Sequence, residues 1–433
     1  MLLWTNKNIK LSNRILKRGC IFLFAFLIVF FPSTSILAQT ETTKTTSLPF
    51  SLKESELHAK SALLMDASNG RVLYEKDGYK QLPMASTTKI MTCIYTLEHG
   101  NLDDTVTISK NAANQPRVRL GMREGEQFKL RDLLYALMLE SYNDCAVAIA
   151  EHLGGSVEQF CYDMSNKARD LGAYYTNFET PNGLDSQNHY TTSYDLALIT
   201  KYAIDNEQFC SIINTRSHTF TELTKGTSHS VYNKDAFLDQ YEGAFGVKTG
   251  FTGNAGYCFV GAAKREDKTF ISVVLASGWP PNKTYKWSDT KKLMDYGFKN
   301  YEYQEIGIEH PKLEKIPVLD GQKPFLSLYT DAKKERLLLS PTEKLEVKIN
   351  LPNQLEAPIK KDLPVGSISY YLDGNEFRCY SVYAADSVKK IDYGYCLKKV
   401  LKRWSQGVFY EERDSISSIS FYKTISPNNQ FML

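Results

Sequence analysis

Strand-like sequence stands at both ends of a long helical stretch in this chain, and that order leaves few folds open. Residues 62–67 and 71–75 are apolar-rich runs joined at Asn69-Gly70, a dipeptide favoured in type I′ hairpin turns. After Gly243 the pattern returns to strands over residues 245–249, 256–263 and 269–276, the last two separated by Arg265-Glu266-Asp267-Lys268. Between these blocks the apolar positions recur at helical spacing. Ile90, Met91, Ile94 and Leu97 mark a helix over residues 86–98 that follows Pro83 and stops at Gly100. Residues 131–139 and 145–153 read as two more, the second ended by Gly154-Gly155. Ser156 with Gln159 suggests a capping box for a helix running to Leu171 and stopping at Gly172, and Thr192 with Asp195 suggests another for residues 195–204. A last helix spans about 289–298. Strands from both ends of one segment, with helices between, predict an α/β domain: one antiparallel sheet built from both termini and covered by helices.

The rest of the chain divides around this domain, assigned to residues 57–306. In residues 1–38, Lys7, Lys10, Arg14, Lys17 and Arg18 precede an apolar run over residues 21–31, then Pro32 and the small residue Ala38. That is the layout of a secretory signal peptide. Ile36 fits a cleavage site poorly, so an uncleaved anchor stays open, although the apolar core is short of the roughly 20 residues of a spanning helix. Either way the remainder is expected outside the cytoplasm. Residues 39–56 form a Thr-rich spacer. Residues 307–388, with short alternating runs at 345–351 and 367–372 and a turn at Asp373-Gly374, predict a small all-β domain. Residues 389–410 read as a basic amphipathic helix, with Leu397, Val400, Leu401, Trp404 and Val408 on one face and Lys398, Lys399, Lys402 and Arg403 elsewhere. It suits peripheral contact with an anionic membrane, or packing on the β domain. Residues 411–433 are a polar tail without an assigned role. A net charge of +3 gives no reason to expect nucleic acid. The seven cysteines after the leader contain no CxxC pair or zinc spacing and are read mostly as buried thiols.

Three short motifs carry the chemistry: Ser86-Thr87-Thr88-Lys89, Ser141-Tyr142-Asn143 and Lys248-Thr249-Gly250. Each alone is common. Together, in this order and at domain-scale spacing, they are the parts of a penicillin-recognising serine acyl-transferase. Helical spacing brings the Lys89 amine to the Ser86 hydroxyl, which needs a base to become a nucleophile, and burial or nearby cations would depress the lysine enough to serve. Ser141 offers a second hydroxyl able to relay a proton, and Asn143 an amide for a substrate peptide. Lys248 and Thr249 end a strand where they can face a carboxylate, and Gly250 permits close approach.

With these motifs go longer stretches, among them Ala85-Ser86-Thr87-Thr88-Lys89-Ile90-Met91-Thr92, Thr180-Pro181-Asn182-Gly183-Leu184 and residues 247–257. On them the chain resembles the low-molecular-mass penicillin-binding proteins, specifically the serine-type D-alanyl-D-alanine carboxypeptidases of the peptidase S11 family. The resemblance implies a β-lactamase/transpeptidase-like domain with a small β appendage. It also implies an activity: removal of the terminal D-alanine from peptidoglycan stem pentapeptides at the outer face of a bacterial membrane or in the wall, with β-lactams as covalent inhibitors. It makes Ser86 the nucleophile, Lys89 its base and Ser141 the proton donor to the leaving amine. Asn143, Lys248, Thr249, Gly250 and Phe251 would bind substrate, the backbone N–H groups of Ser86 and Phe251 forming the oxyanion hole. No metal or organic cofactor enters this chemistry. A vegetative or sporulation role, and cleavage of cross-linked peptides, are not separable from the residues.

Two other readings stay open at this point. A β-lactamase shares the three motifs but needs a deacylating base, for which Glu179 is the candidate acid in the Phe178-Glu179-Thr180-Pro181-Asn182 segment. A protein that only senses β-lactams or muropeptides would need no nucleophile and base, so Ser86, Lys89, Ser141 and Lys248 argue against it.

Overall fold

The computed structural model describes residues 50–307 and 313–406. The expected signal peptide, most of the Thr-rich spacer and the polar tail lie outside the described residues. In the first domain, β1 (Ser61–Asp66) and β2 (Val72–Lys76) precede the helices, and β3 (Ala244–Thr252), β4 (Gly256–Arg265) and β5 (Lys268–Leu275) follow them. They form one antiparallel sheet in the order β2-β1-β5-β4-β3, with Leu64 opposite Tyr74 on one side and Ser272 on the other, and Lys248 opposite Val260. The strand carrying Lys248-Thr249-Gly250 is therefore an edge strand.

Both faces of the sheet are covered, which is why β1 is apolar almost throughout rather than alternating. Leu63 and Met65 join Val260, Ala262, Ile271 and Val273 in the larger core, under helices α1 (Lys89–His99), α2 (Leu130–Leu139), α3 (Asn143–Gly154), α4 (Val157–Asp170), α5 (Ser193–Ile204) and α6 (Glu207–Asn214). Ala62 and Leu64, one residue out of phase, join Phe259, Phe270 and Val274 against Leu293 and Met294 of α7 (Tyr285–Asn300). Each such fully buried side chain contributes roughly 1.5–3 kcal/mol relative to exposure.

Several local expectations shift. Asn69-Gly70 does not make a type I′ turn, because only Gly70 takes a positive φ, of 81°. The Asp66 carboxylate instead accepts from Ser68, and Asn69 Oδ1 from the Arg71 amide, closing a longer loop. Asp373-Gly374 does fit that turn, both residues having positive φ between paired Leu372 and Asn375. Ser156 and Thr192 cap α4 and α5, but neither cap is reciprocal: Gln159 turns to Asp163, and Asp195 to Tyr175 and Thr176.

The C-terminal region is all β before its last helix, with a four-stranded antiparallel sheet and smaller two- and three-stranded ones. Residues Glu302–Ile306, directly after α7, pair with Glu335–Leu339, and Arg336 meets Asp267 at 2.6 Å, tying this region to the first domain. Helix α8 (Tyr393–Ser405) has no buried residue, and Leu397, Val400, Leu401 and Trp404 of the expected apolar stripe face solvent, while Val408 lies outside the described residues. Packing of that stripe on the β domain is not what the structure shows. Four cysteines are buried and Cys210 half-buried, while Cys379 and Cys396 are exposed, so buried thiols are a property of the first domain only.

Candidate active site

Ser86 does not lie inside the helix that its spacing suggests. It occupies a tight 3-10 turn, Ala85–Thr88, immediately before α1, which leaves the hydroxyl at a helix N-terminus rather than along a flank. The turn is clamped from within by Thr87 Oγ1 donating to Met84 O at 2.6 Å and Thr88 Oγ1 to Ala85 O at 2.9 Å. A second clamp comes from His189, whose Nδ1 accepts from the Glu179 amide at 3.0 Å, so that its Nε2–H donates to Thr88 Oγ1 at 2.8 Å. That arrangement needs a neutral ring, and burial pushes His189 down to about 4. Gly183, with φ of 83°, packs so tightly that a Cβ there would stand 2.0 Å from Ala85 O.

Lys89 is the first residue of α1 and is completely buried. Its Nζ lies 2.9 Å from Ser86 Oγ, 3.0 Å from Asn143 Oδ1 and 2.5 Å from Asn182 O. Burial first, and the Lys248 charge second, hold its pKa well below that of an ordinary lysine. A neutral amine has two hydrogens and one lone pair. Asn182 O is an acceptor only, and Asn143 must present its oxygen because its Nδ2 donates to Pro116 O at 3.2 Å. When Lys89 is neutral, the two carbonyls take both hydrogens and the lone pair is left to face Ser86 Oγ, which also lies 3.4 Å from Asn182 O.

Asn143 begins helix α3 rather than lying in the connection before it. Ser141, just upstream, has a φ of 67°, a conformation that costs a non-glycine residue of order 1–3 kcal/mol, and its buried Oγ has no protein partner. Strain and an unused hydroxyl together mark a group held for something other than the fold. Asp144, wholly buried, accepts from the amides of Leu120 and Gly121 at 3.0 and 2.8 Å, fastening the neighbouring loop.

The third motif closes the cleft from the sheet edge. Gly250 is where β3 meets the nucleophile turn: a Cβ there would lie 3.0 Å from Ser86 N and 3.1 Å from Met84 O. Lys248 is 3% exposed and uses one of its three N–H groups, toward Thr249 O at 3.2 Å. Burial pushes it down to about 7, against the opposing pull of Asp235. Asp235 is itself buried and pushed up to about 7; one carboxylate oxygen accepts from Phe237 N at 3.0 Å and the other has no partner. Thr249 is half-buried, and Phe251 is exposed and packs tilted against the Tyr257 ring. Ser86, Lys89 and Asn143 are thus in direct contact and Gly250 abuts them, while Asn182, His189, Asp144 and Asp235 are partners that motif spacing does not disclose. Glu179, the acid that a β-lactamase reading requires, is bound by Ser186 Oγ and by both nitrogens of Asn188.

A serine bonded to a buried lysine whose pKa is held well down, at the edge of a helix-covered antiparallel sheet, fits the centre of a serine-type peptidase. The chain belongs to the D-alanyl-D-alanine carboxypeptidase family, peptidase S11, whose model matches residues 44–278; residues 301–390 match the C-terminal domain of penicillin-binding protein 5. It is 30% identical to D-alanyl-D-alanine carboxypeptidase DacF of Bacillus subtilis over 355 residues, covering 80% of this chain and 90% of that protein. It is 36% identical over 251 residues to the D-alanyl-D-alanine carboxypeptidase of Streptomyces sp. strain K15, covering 54% and 85%. Among solved structures, penicillin-binding protein 5 of Haemophilus influenzae superposes with a TM-score of 0.63 at 27% identity, covering 78% of this chain and all of that one. The Streptomyces K15 DD-transpeptidase does so at 0.53 and 34%, covering 57% and 99%.

Proposed function

We propose that this enzyme cleaves the terminal D-alanine from peptidoglycan stem pentapeptides through an acyl-enzyme on Ser86. The observation that carries the reading is the buried Lys89 amine, whose Nζ lies 2.9 Å from Ser86 Oγ and is also held by Asn143 Oδ1 and Asn182 O, so that in its neutral form the lone pair is left for the serine. Lys89 takes the serine proton as Ser86 Oγ attacks the carbonyl between the two D-alanines. The amides of Ser86 and Phe251 stabilise the oxyanion, Ser141 passes a proton to the departing D-alanine nitrogen, and water then releases the shortened peptide. Lys248 and Thr249 hold the terminal carboxylate and Asn143 the peptide. Gly250 keeps the edge strand close enough for an extended substrate to lie along it. A β-lactam acylates the same serine and stays, since Glu179 is engaged in its own loop and is not free to activate a deacylating water.

The chain works outside the cytoplasm, at the membrane face or in the wall, with helix α8 resting its exposed apolar stripe and lysines on an anionic lipid surface. The test of the chemistry is release of D-alanine from a synthetic pentapeptide together with labelling by fluorescent penicillin. Ser86→Ala abolishes both; release that survives in that variant refutes the mechanism. Adding a cross-linked dimer and an amine acceptor to the assay shows which peptides enter and whether water alone resolves the acyl-enzyme.

A further inference from the structure

The Asn143 wall of the cleft carries a feature that the proposed reaction leaves unused. The loop from Pro116 to Met122 is fastened to the second motif from two directions. Asn143 donates its backbone N–H to Val118 O at 2.8 Å and its Nδ2 to Pro116 O at 3.2 Å, and the buried Asp144 carboxylate collects the amides of Leu120, Gly121 and Met122. At the loop's start, Gln115 Oε1 accepts from Asn182 Nδ2 at 3.2 Å. Both residues whose carbonyls hold Lys89 are therefore bonded to this loop.

The same loop lines a hollow of about 340 Å³ through Arg117, Val118, Arg119 and Gly121. Among the described residues, neither guanidinium forms a salt bridge with a carboxylate. Arg119 reaches back to Ala113 O and Gln115 O at 3.4 and 3.3 Å, which orients its planar fork without neutralising it. Val118, 53% exposed, adds an apolar floor. A forked guanidinium pair on a fixed backbone is suited to a carboxylate, which it can bind through two parallel N–H donors.

We propose that Arg117 and Arg119 form a carboxylate-binding subsite for the acyl-side part of the peptide, selecting substrates that carry an acid upstream of the penultimate D-alanine. The inference rests on the carboxypeptidase reading and deepens it. With the C-terminal carboxylate on Lys248 and Thr249, the chain that passes Asn143 is the acyl portion. A group one or two residues upstream lies about 4–7 Å farther along that wall at the reach of an extended chain. No bond is made or broken here; the subsite acts on binding and register.

The test uses the full chain and three synthetic peptides ending in D-alanyl-D-alanine: one with a free carboxylate only on the second residue, one with it only on the third-residue side chain, and one with carboxamides at both. Wild-type kcat/KM is expected to be roughly tenfold higher for one acidic peptide than for the neutral one, a size typical of one charge-assisted contact, and which peptide gains identifies the carboxylate that is read. In the double variant Arg117→Gln/Arg119→Gln that ratio falls toward one, and added salt shrinks it in the wild type. Both side chains are exposed, and an unchanged melting temperature verifies the fold of the variant. Equal cleavage of all three peptides by the wild type, or a preference that persists in the double variant, overturns the subsite while the carboxypeptidase reading stands. Absence of D-alanine release from every peptide overturns both.

Discussion

The active-site cleft and the last helix break the ordinary partition of residues in opposite ways. In the cleft, Lys89 is fully buried and Lys248 is 3% exposed, and among the described residues neither has an ion pair. On α8, Trp404 is 73% exposed and Val400 63%, on a helix with no buried residue. Scattered exposed apolar groups are unremarkable, but buried lone cations and a continuous exposed apolar stripe both ask for a reason. In the cleft the fold supplies it: burial lowers the pKa of both amines below that of an ordinary lysine. On the helix nothing among the described residues supplies it, and the lipid surface proposed for it is the reason to test.

The largest test of this contrast is Lys89→Met, which keeps the length and burial of the side chain and removes the amine. Deacylation aside, losing a general base costs about 10²–10⁴-fold in rate, read as the rate of acylation by fluorescent penicillin and of D-alanine release. Leaving the Asn143 and Asn182 oxygens without the amine costs about 1–3 kcal/mol each, offset in part by relief of the lysine's desolvation, so thermal stability at neutral pH should fall only modestly. Because the folded pKa of Lys89 lies well below the unfolded one, between the two values the unfolded chain binds a proton there that the native state does not. Native stability therefore rises with pH between the depressed and the ordinary lysine pKa, and the variant loses that slope. A variant that keeps its activity, or one that unfolds outright, would show that the lysine serves the fold and not the reaction.

The helix comes next in size. With Trp404→Ala and Leu401→Ala together, binding to vesicles containing anionic lipid should weaken at least tenfold, since burying each side chain is worth roughly 1.5–3 kcal/mol. Stability, read by thermal melting, should stay within about 0.5 kcal/mol, as expected of exposed positions. A clear drop in melting temperature instead would mean that the stripe packs on protein, and the contrast with the cleft would fail.

Much of this was legible before any coordinates. Apolar runs located every strand of the main sheet, because a sheet covered on both faces must be apolar nearly throughout, and the three motifs named the chemical groups. Legibility stopped where a contact runs through backbone or through partners distant in sequence. Asn182 holds Lys89 by its carbonyl, a group every residue has. His189 acts through Thr88, and Asp144 through the amides of the 120–122 loop. Asn143 lies before the apolar spacing that marks the helix over residues 145–153, yet α3 starts on it. Reciprocal capping boxes failed at Gln159 and Asp195 because both side chains found stronger partners elsewhere, a choice that spacing cannot express.

The smallest expected effect probes how far the buried charges in the cleft depend on one another, through Asp235→Asn. Lys248 must be cationic to hold a carboxylate and is pushed down to about 7 by burial, with Asp235 raising it. Removing that carboxylate lowers the Lys248 pKa further, so the alkaline limb of kcat/KM, which reports the free enzyme, should shift to lower pH by less than a unit, a few-fold loss near pH 8. The asparagine oxygen can still accept from Phe237 N, so the local turn is kept. Stability should move the other way. Asp235 is pushed up to about 7 from 3.8, so between those values the native state holds a proton that the unfolded chain has released, and wild-type stability declines as pH rises through that window. The variant has no such decline, and its melting temperature relative to wild type should be higher at pH 8 than at pH 4. If both the alkaline limb and the melting difference stay fixed, Asp235 and Lys248 do not sense each other, and the cleft is a set of separately buried groups rather than one electrostatic unit.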